Sequence, residues 1–214
     1  MPTQEKRVNY TASNSYSTLN ELSDKTENIW VCCHGIGFLS RYFIRYFRKL
    51  DIDKNYVIAP QAPSKYYQDN AFKYVGSSWL TREDTKDETQ NVLNYLDAIT
   101  NAELQNQPKN LILFGFSQGV SVVMRWMATR KIHCDQVILY AGGIPKELKP
   151  EDFAFAENTR FKIVYGLQDE YLTEKSIKDE KQRAKWLFGN QLEIIPFEGK
   201  HQLKPDLICS LVGE

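Results

Sequence analysis

The sequence predicts an α/β protein, with a mostly parallel central sheet flanked by helices on both faces. Two observations carry this reading. Short runs rich in β-branched and apolar residues recur along the chain, and longer amphipathic stretches lie between them. Residues 7–22 are read as an antiparallel edge hairpin, and residues 29–33 as the first buried strand. Next come Phe38, Leu39, Tyr42, Phe43, Tyr46, Phe47 and Leu50 at three- and four-residue spacing, which predicts an amphipathic helix with an aromatic face. A strand over 56–59 leads into a long loop, 60–80, holding Tyr66, Tyr67, Phe72, Tyr74 and Trp79, a composition suited to binding. Further strands are expected over 110–114, 136–140, 161–165 and 192–197. Helices are expected over 84–104, 117–130 and roughly 173–188.

The chain has 214 residues, and residues 1–214 are expected to form one domain with one core. Lysines plus arginines number 27 and aspartates plus glutamates number 27, so no net field favours nucleic acid or an anionic membrane. The four cysteines have no metal-ligand spacing and read as reduced packing residues, with Cys32 and Cys33 facing opposite sides of a strand. The polar start lacks the apolar core of a signal peptide and no apolar run is long enough to span a bilayer, which predicts a soluble cytoplasmic protein.

The sharpest chemical signal is Gly115-Phe116-Ser117-Gln118-Gly119, set between a predicted strand and a predicted helix. In a nucleophile elbow the serine occupies a strained turn, and flanking glycines let strand and helix approach closely. A serine hydroxyl needs a base, and the base needs an orienting partner. His133 falls at the amino-terminal edge of the next strand, the wrong edge for a site in a parallel sheet, and is read as structural. His34 is read as supporting its own loop, and His201, after the last strand, as the base. Asp169 follows the strand over 161–165, and the order Ser, Asp, His fits this arrangement, with Asp206, Glu198 and Asp179 as competing carboxylates. An attacked carbonyl becomes an oxyanion that requires donors. The backbone N–H groups of Gln118 and of Ile36, in His34-Gly35-Ile36-Gly37, are the candidates.

Beyond the elbow, Ala59-Pro60-Gln61-Ala62-Pro63, Trp79 and Ala141-Gly142-Gly143-Ile144-Pro145 complete a pattern that resembles the phospholipase/carboxylesterase family of α/β-hydrolases. That family includes acyl-protein thioesterases and small bacterial carboxylesterases. The resemblance implies the α/β-hydrolase fold. It also implies Ser117, Asp169 and His201 as catalytic residues, and the Ile36 and Gln118 amides as an oxyanion hole. Phe38 stands where the family usually has an acidic or polar residue, and Phe38 and Trp79 are assigned to the substrate pocket. No metal or organic cofactor is expected. The expected activity is hydrolysis of carboxylic esters with short to medium acyl chains through an acyl-enzyme on Ser117. One alternative is a thioesterase acting on acyl-protein or other acyl thioesters. Another is a catalytically silent member that binds a ligand or partner. The expected partner is a small-molecule ester or thioester.

Overall fold

The computed structural model describes residues 3–104, 110–171 and 174–212. In chain order these form β1 (Tyr16–Leu19), β2 (Asn28–Cys33) and α1 (Ser40–Phe43), which runs into a 3-10 turn (Ile44–Phe47). Next come β3 (Asn55–Pro60), β4 (Ser64–Tyr67), β5 (Val75–Ser78), α2 (Thr85–Glu103), β6 (Asn110–Phe116) and α3 (Gln118–Arg130). The remaining elements are β7 (Gln136–Tyr140), β8 (Arg160–Gly166), α4 (Glu174–Phe188), β9 (Leu192–Phe197) and α5 (Pro205–Ser210). The main sheet has the order β1-β3-β2-β6-β7-β8-β9. Every neighbouring pair is parallel except β1 with β3. This is the expected α/β arrangement.

The chain reverses its winding at β2, which has β3 on one side and β6 on the other. In open parallel sheets a crevice forms at such a switch, outside the carboxyl ends of the strands. The loop after β2 and the turn after β6 therefore meet there. Two apolar layers hold the sheet. Ile29, Val31 and Cys33 point into the layer covered by α2, α3 and α4. Trp30 and Cys32 point into the layer covered by α1, its 3-10 turn and α5. The two adjacent cysteines thus face opposite sides, and burial pushes both thiols up. All four cysteines are free.

Four departures from the sequence reading have physical reasons. The early hairpin reduces to one strand: residues 3–15 have no regular structure, and β1 satisfies its backbone on the free edge of β3. The aromatic helix over 38–50 is α1 plus a 3-10 turn. Its buried side includes Phe43, Ile44 and Phe47, aromatic and β-branched residues of modest helix propensity, so core packing sets the local twist. The spacing still identified the buried face, Leu39, Phe43, Phe47 and Leu50. The loop over 60–80 contains the antiparallel ribbon β4–β5, with Ser64 opposite Ser78 and Tyr67 opposite Val75. Asp84 and Ser117 flank α2 and α3 as N-cap residues and do not begin them. Thr173, where the fourth helix was expected to begin, lies outside the described residues. Among the described residues no helix is long and apolar enough to cross a membrane.

Phe47 has no exposed surface and packs its ring 5.8 Å from Trp30 and 5.2 Å from Phe114. Phe47→Ala is expected to lower the unfolding free energy by about 3 to 5 kcal/mol. A urea titration followed by circular dichroism measures it, and a loss below about 1 kcal/mol would show that this face is not packed.

Candidate active site

Ser117 sits between β6 and α3 with φ 53° and ψ −115°, a conformation that side chains other than glycine rarely adopt. Close packing imposes it. A methyl group on Gly119 would lie 2.0 Å from the Cys33 carbonyl oxygen, so α3 begins in contact with the end of β2. The Ser117 N–H donates to the Tyr140 carbonyl at 2.9 Å, which ties the turn to β7 as well.

His201 Nε2 lies 3.0 Å from Ser117 Oγ, and His201 Nδ1 lies 2.7 Å from Asp169 Oδ2. The Asp169 side chain is fully buried, and its other oxygen accepts the Tyr171 N–H at 2.9 Å. The two loops that carry Asp169 and His201 are joined along their length. A methyl group on Gly166 would meet the Gly199 carbonyl oxygen at 2.4 Å, and the Gln168 N–H donates to that same oxygen at 2.9 Å. The Glu170 carboxylate accepts its own N–H and also that of His201, and these bonds hold it below the usual carboxylate range. The imidazole of His201 packs against two rings, Phe116 at 5.1 Å and the exposed Tyr171 at 4.8 Å.

The competing carboxylates are placed elsewhere. Asp206 pairs with Lys49 at 2.7 Å, and Asp179 lies on α4 in a groove with Arg183 and Trp186. Glu198 offers its backbone carbonyl to Lys204. His133 is exposed and rests against Phe155 at 5.3 Å.

His34 is completely buried. Its Nε2 accepts the Ala62 N–H at 3.1 Å, so the proton resides on Nδ1, which donates to the Gly35 carbonyl at 2.8 Å. Burial lowers its pKa to about 4, against the opposing effect of the Gly35 bond. The imidazole is therefore neutral and fixes the loop that carries Ile36. The ribbon holds the same loop from outside. The Gly37 N–H donates to the Ser77 carbonyl at 2.8 Å, and Gln68 Nε2 donates to the Gly37 carbonyl at 2.7 Å. Ser77 Oγ donates to the Phe38 carbonyl at 2.7 Å.

Trp79 is not a pocket residue. It has no exposed surface, its ring lies 5.1 Å from that of His34, and its Nε1–H donates to the His34 carbonyl at 2.8 Å. An indole in a loop rich in aromatics buries itself when its N–H finds a carbonyl partner. Phe38 is half-buried, 5.8 Å from Phe116, and borders a surface groove. Ile36 is exposed, and its backbone belongs to the loop beside Ser117: a methyl group on Gly35 would lie 3.1 Å from Ser117 Cβ. Gln118 opens α3, where a backbone N–H has no intrahelical partner. Its side chain locks that end. Oε1 accepts the Trp79 N–H at 2.9 Å, and Nε2 donates to the Leu80 carbonyl at 2.7 Å.

Sequence reasoning missed Tyr171, the Ser77 and Gln68 clamp, and the use of the Gln118 side chain. These contacts cross between loops far apart in the chain, and no local pattern marks them. A cavity of about 600 Å³ lies away from this site, between residues 8–14 and α2.

The model of the phospholipase/carboxylesterase family matches residues 14–209. No curated protein matches the sequence significantly. Among solved structures the chain is similar to acyl-protein thioesterase 2 of Zea mays, with TM-score 0.68, 15% identity, and coverage of 93% of this chain and 97% of that one. It is also similar to the phospholipase/carboxylesterase of Dyadobacter fermentans, with TM-score 0.67, 18% identity and coverage of 94% and 97%. A third is the Bacillus cereus carboxylesterase, with TM-score 0.68, 14% identity and coverage of 94% and 92%. At these identities the likeness concerns the fold.

Because the folded His34 binds its proton more weakly than an unfolded histidine near 6.5, its neutral burial stabilises the fold fully above that pH. This contribution is lost as pH falls toward about 4. The loss attributable to His34 should be about 3 kcal/mol. His34→Gln should show a correspondingly smaller drop in stability between pH 7 and pH 4 than the wild type, measured by denaturant titration at both. Equal drops in the two proteins would refute a buried neutral imidazole.

Proposed function

The chain belongs to the phospholipase/carboxylesterase family of hydrolases, and from that premise we propose that it is a serine esterase whose nucleophile is Ser117. The observation that carries this is the relay from Ser117 Oγ to His201 Nε2 at 3.0 Å and from His201 Nδ1 to Asp169 at 2.7 Å, built on a strained elbow. His201 takes the hydroxyl proton as Oγ bonds to the acyl carbon of a carboxylic ester. The negative charge that develops on the carbonyl oxygen is received by the N–H groups of Ile36 and Gln118. The imidazolium then protonates the departing alcohol, leaving an acyl-enzyme. Water attacks this ester, giving a proton to His201, and the acid leaves as Ser117 recovers its hydrogen.

Asp169 accepts a hydrogen bond from the Nδ1–H, which leaves Nε2 free to face Ser117, and its charge stabilises the imidazolium. The rings of Phe116 and Tyr171 hold the imidazole in that plane. The acyl chain is assigned to the surface formed by the exposed Ile36 and by Phe38, which suits short to medium chains. Thioesters are processed by the same steps, with a thiol as leaving group. The likeness to an acyl-protein thioesterase makes matched oxygen esters and thioesters the substrates to compare.

Ser117→Ala should abolish both ester hydrolysis and covalent labelling by a fluorophosphonate probe while keeping the wild-type circular dichroism spectrum. Labelling at the wild-type level would remove Ser117 as the nucleophile. Asp169→Asn should reduce kcat by about a thousandfold or more, whereas Asp206→Asn should change it less than about twofold. The opposite ranking, read in parallel assays, would transfer the orienting role to Asp206.

A further inference from the structure

Beside the loop that carries Ile36 runs a groove of about 280 Å³, lined by Gly37, Phe38, Arg41, Tyr42, Lys73 and Tyr74 among others. It is connected to the proposed reaction centre through the loop after β2 and two aromatic rings. Gly37 is the next residue after Ile36, and the Phe38 ring contacts Phe116, which contacts the imidazole of His201. Two cations line it in defined positions. The Arg41 guanidinium lies 5.0 Å from the centre of the Tyr42 ring, and the Lys73 ammonium lies 5.2 Å from that of Tyr74.

Among the described residues neither cation forms an ion pair with a carboxylate. No acidic side chain lines the groove. The carboxylate nearest in sequence, Asp69, accepts the backbone N–H groups of Ala71 at 3.0 Å and Lys73 at 3.4 Å at the ribbon's turn. The second cation over Tyr42, Arg45 at 4.9 Å, adds to the same field. The chain has no net charge, so this is a local concentration of positive charge set against aromatic walls. Arg41, Lys73 and both tyrosines are exposed, so an entering anion meets the two charges from solvent.

We infer that this groove is a subsite for an anionic group, a carboxylate carried by the substrate a short chain away from the scissile carbonyl. The inference deepens the serine esterase reading and rests on it for the position of that carbonyl. A carboxylate fits the guanidinium fork of Arg41 and the point charge of Lys73. The carboxylate belongs to the acyl part or to the alcohol part of the ester, and two matched pairs of substrates separate these. Mono-4-nitrophenyl glutarate against 4-nitrophenyl pentanoate places the charge on the acyl side. The butyryl ester of 4-hydroxybenzoate against that of 4-hydroxybenzamide places it on the leaving side.

At low ionic strength the wild type should favour the anionic member of one pair by about tenfold or more in kcat/KM, an advantage that shrinks as salt is added. Replacing Arg41→Gln and Lys73→Gln together should remove that advantage through KM, with the neutral esters within about twofold of wild type. Absence of a preference in both pairs, or an equal loss for neutral and anionic esters, would overturn the subsite. Calorimetric titration of glutarate into the wild type and the double variant reads the groove without turnover. Binding should weaken about tenfold or more in the variant. Equal binding in the two proteins overturns the subsite whatever the identity of the nucleophile, whereas failure of the wild type to hydrolyse any ester counts against the Ser117 reading alone.

Discussion

The arrangement around Ser117 depends on one steric fact: there is no room for a side chain at Gly119. Its Cα rests against the carbonyl end of β2, where any added carbon would overlap the Cys33 oxygen. That contact brings the first turn of α3 beside the loop after β2. It also forces Ser117 to positive φ, a conformation that costs on the order of 1 to 3 kcal/mol. The burial of Val120, Val123, Met124, Trp126 and Met127 against the sheet opposes this cost. A well-packed helix thus holds a strained residue in place, and the hydroxyl stands at the sheet edge toward His201.

Much of this was legible in the sequence because each strand is short, apolar and bounded by polar or turn-forming residues. The strands over 136–140 and 192–197 have the expected limits, and Ser117, Asp169 and His201 follow β6, β8 and β9. Its place after the strand over 161–165, together with chain order, pointed to Asp169 over Asp206, and the structure brings Asp169 to His201. What sequence patterns could not supply was the direction of side chains in irregular segments. Trp79 and Tyr74 occupy the same aromatic-rich loop, yet one is wholly buried and the other exposed. Periodicity separates them only once the ribbon β4–β5 is known. The hydrogen-bonding partner that draws Trp79 inward, the His34 carbonyl, lies 45 positions away.

Two histidines lie at the same end of the sheet under opposite physical demands. His34 is sealed from water, has both nitrogens bonded to backbone groups, and is kept uncharged by burial. It serves as a rigid strut. His201 is partly open, contacts a hydroxyl on one side and a carboxylate on the other, and is flanked by the rings of Phe116 and Tyr171. A charge on the first would cost burial energy, whereas a charge on the second meets Asp169.

The ribbon β4–β5 grips the loop after β2 through the Ser77 carbonyl and hydroxyl and the Gln68 amide, while Tyr67, Phe72 and Tyr74 face solvent. Grip and outer face are therefore carried by different atoms. Substitutions of Tyr67 or Phe72 touch none of the hydrogen bonds of the grip, so the surface can change without loosening the loop. The ribbon thus keeps the loop it braces apart from the surface it presents.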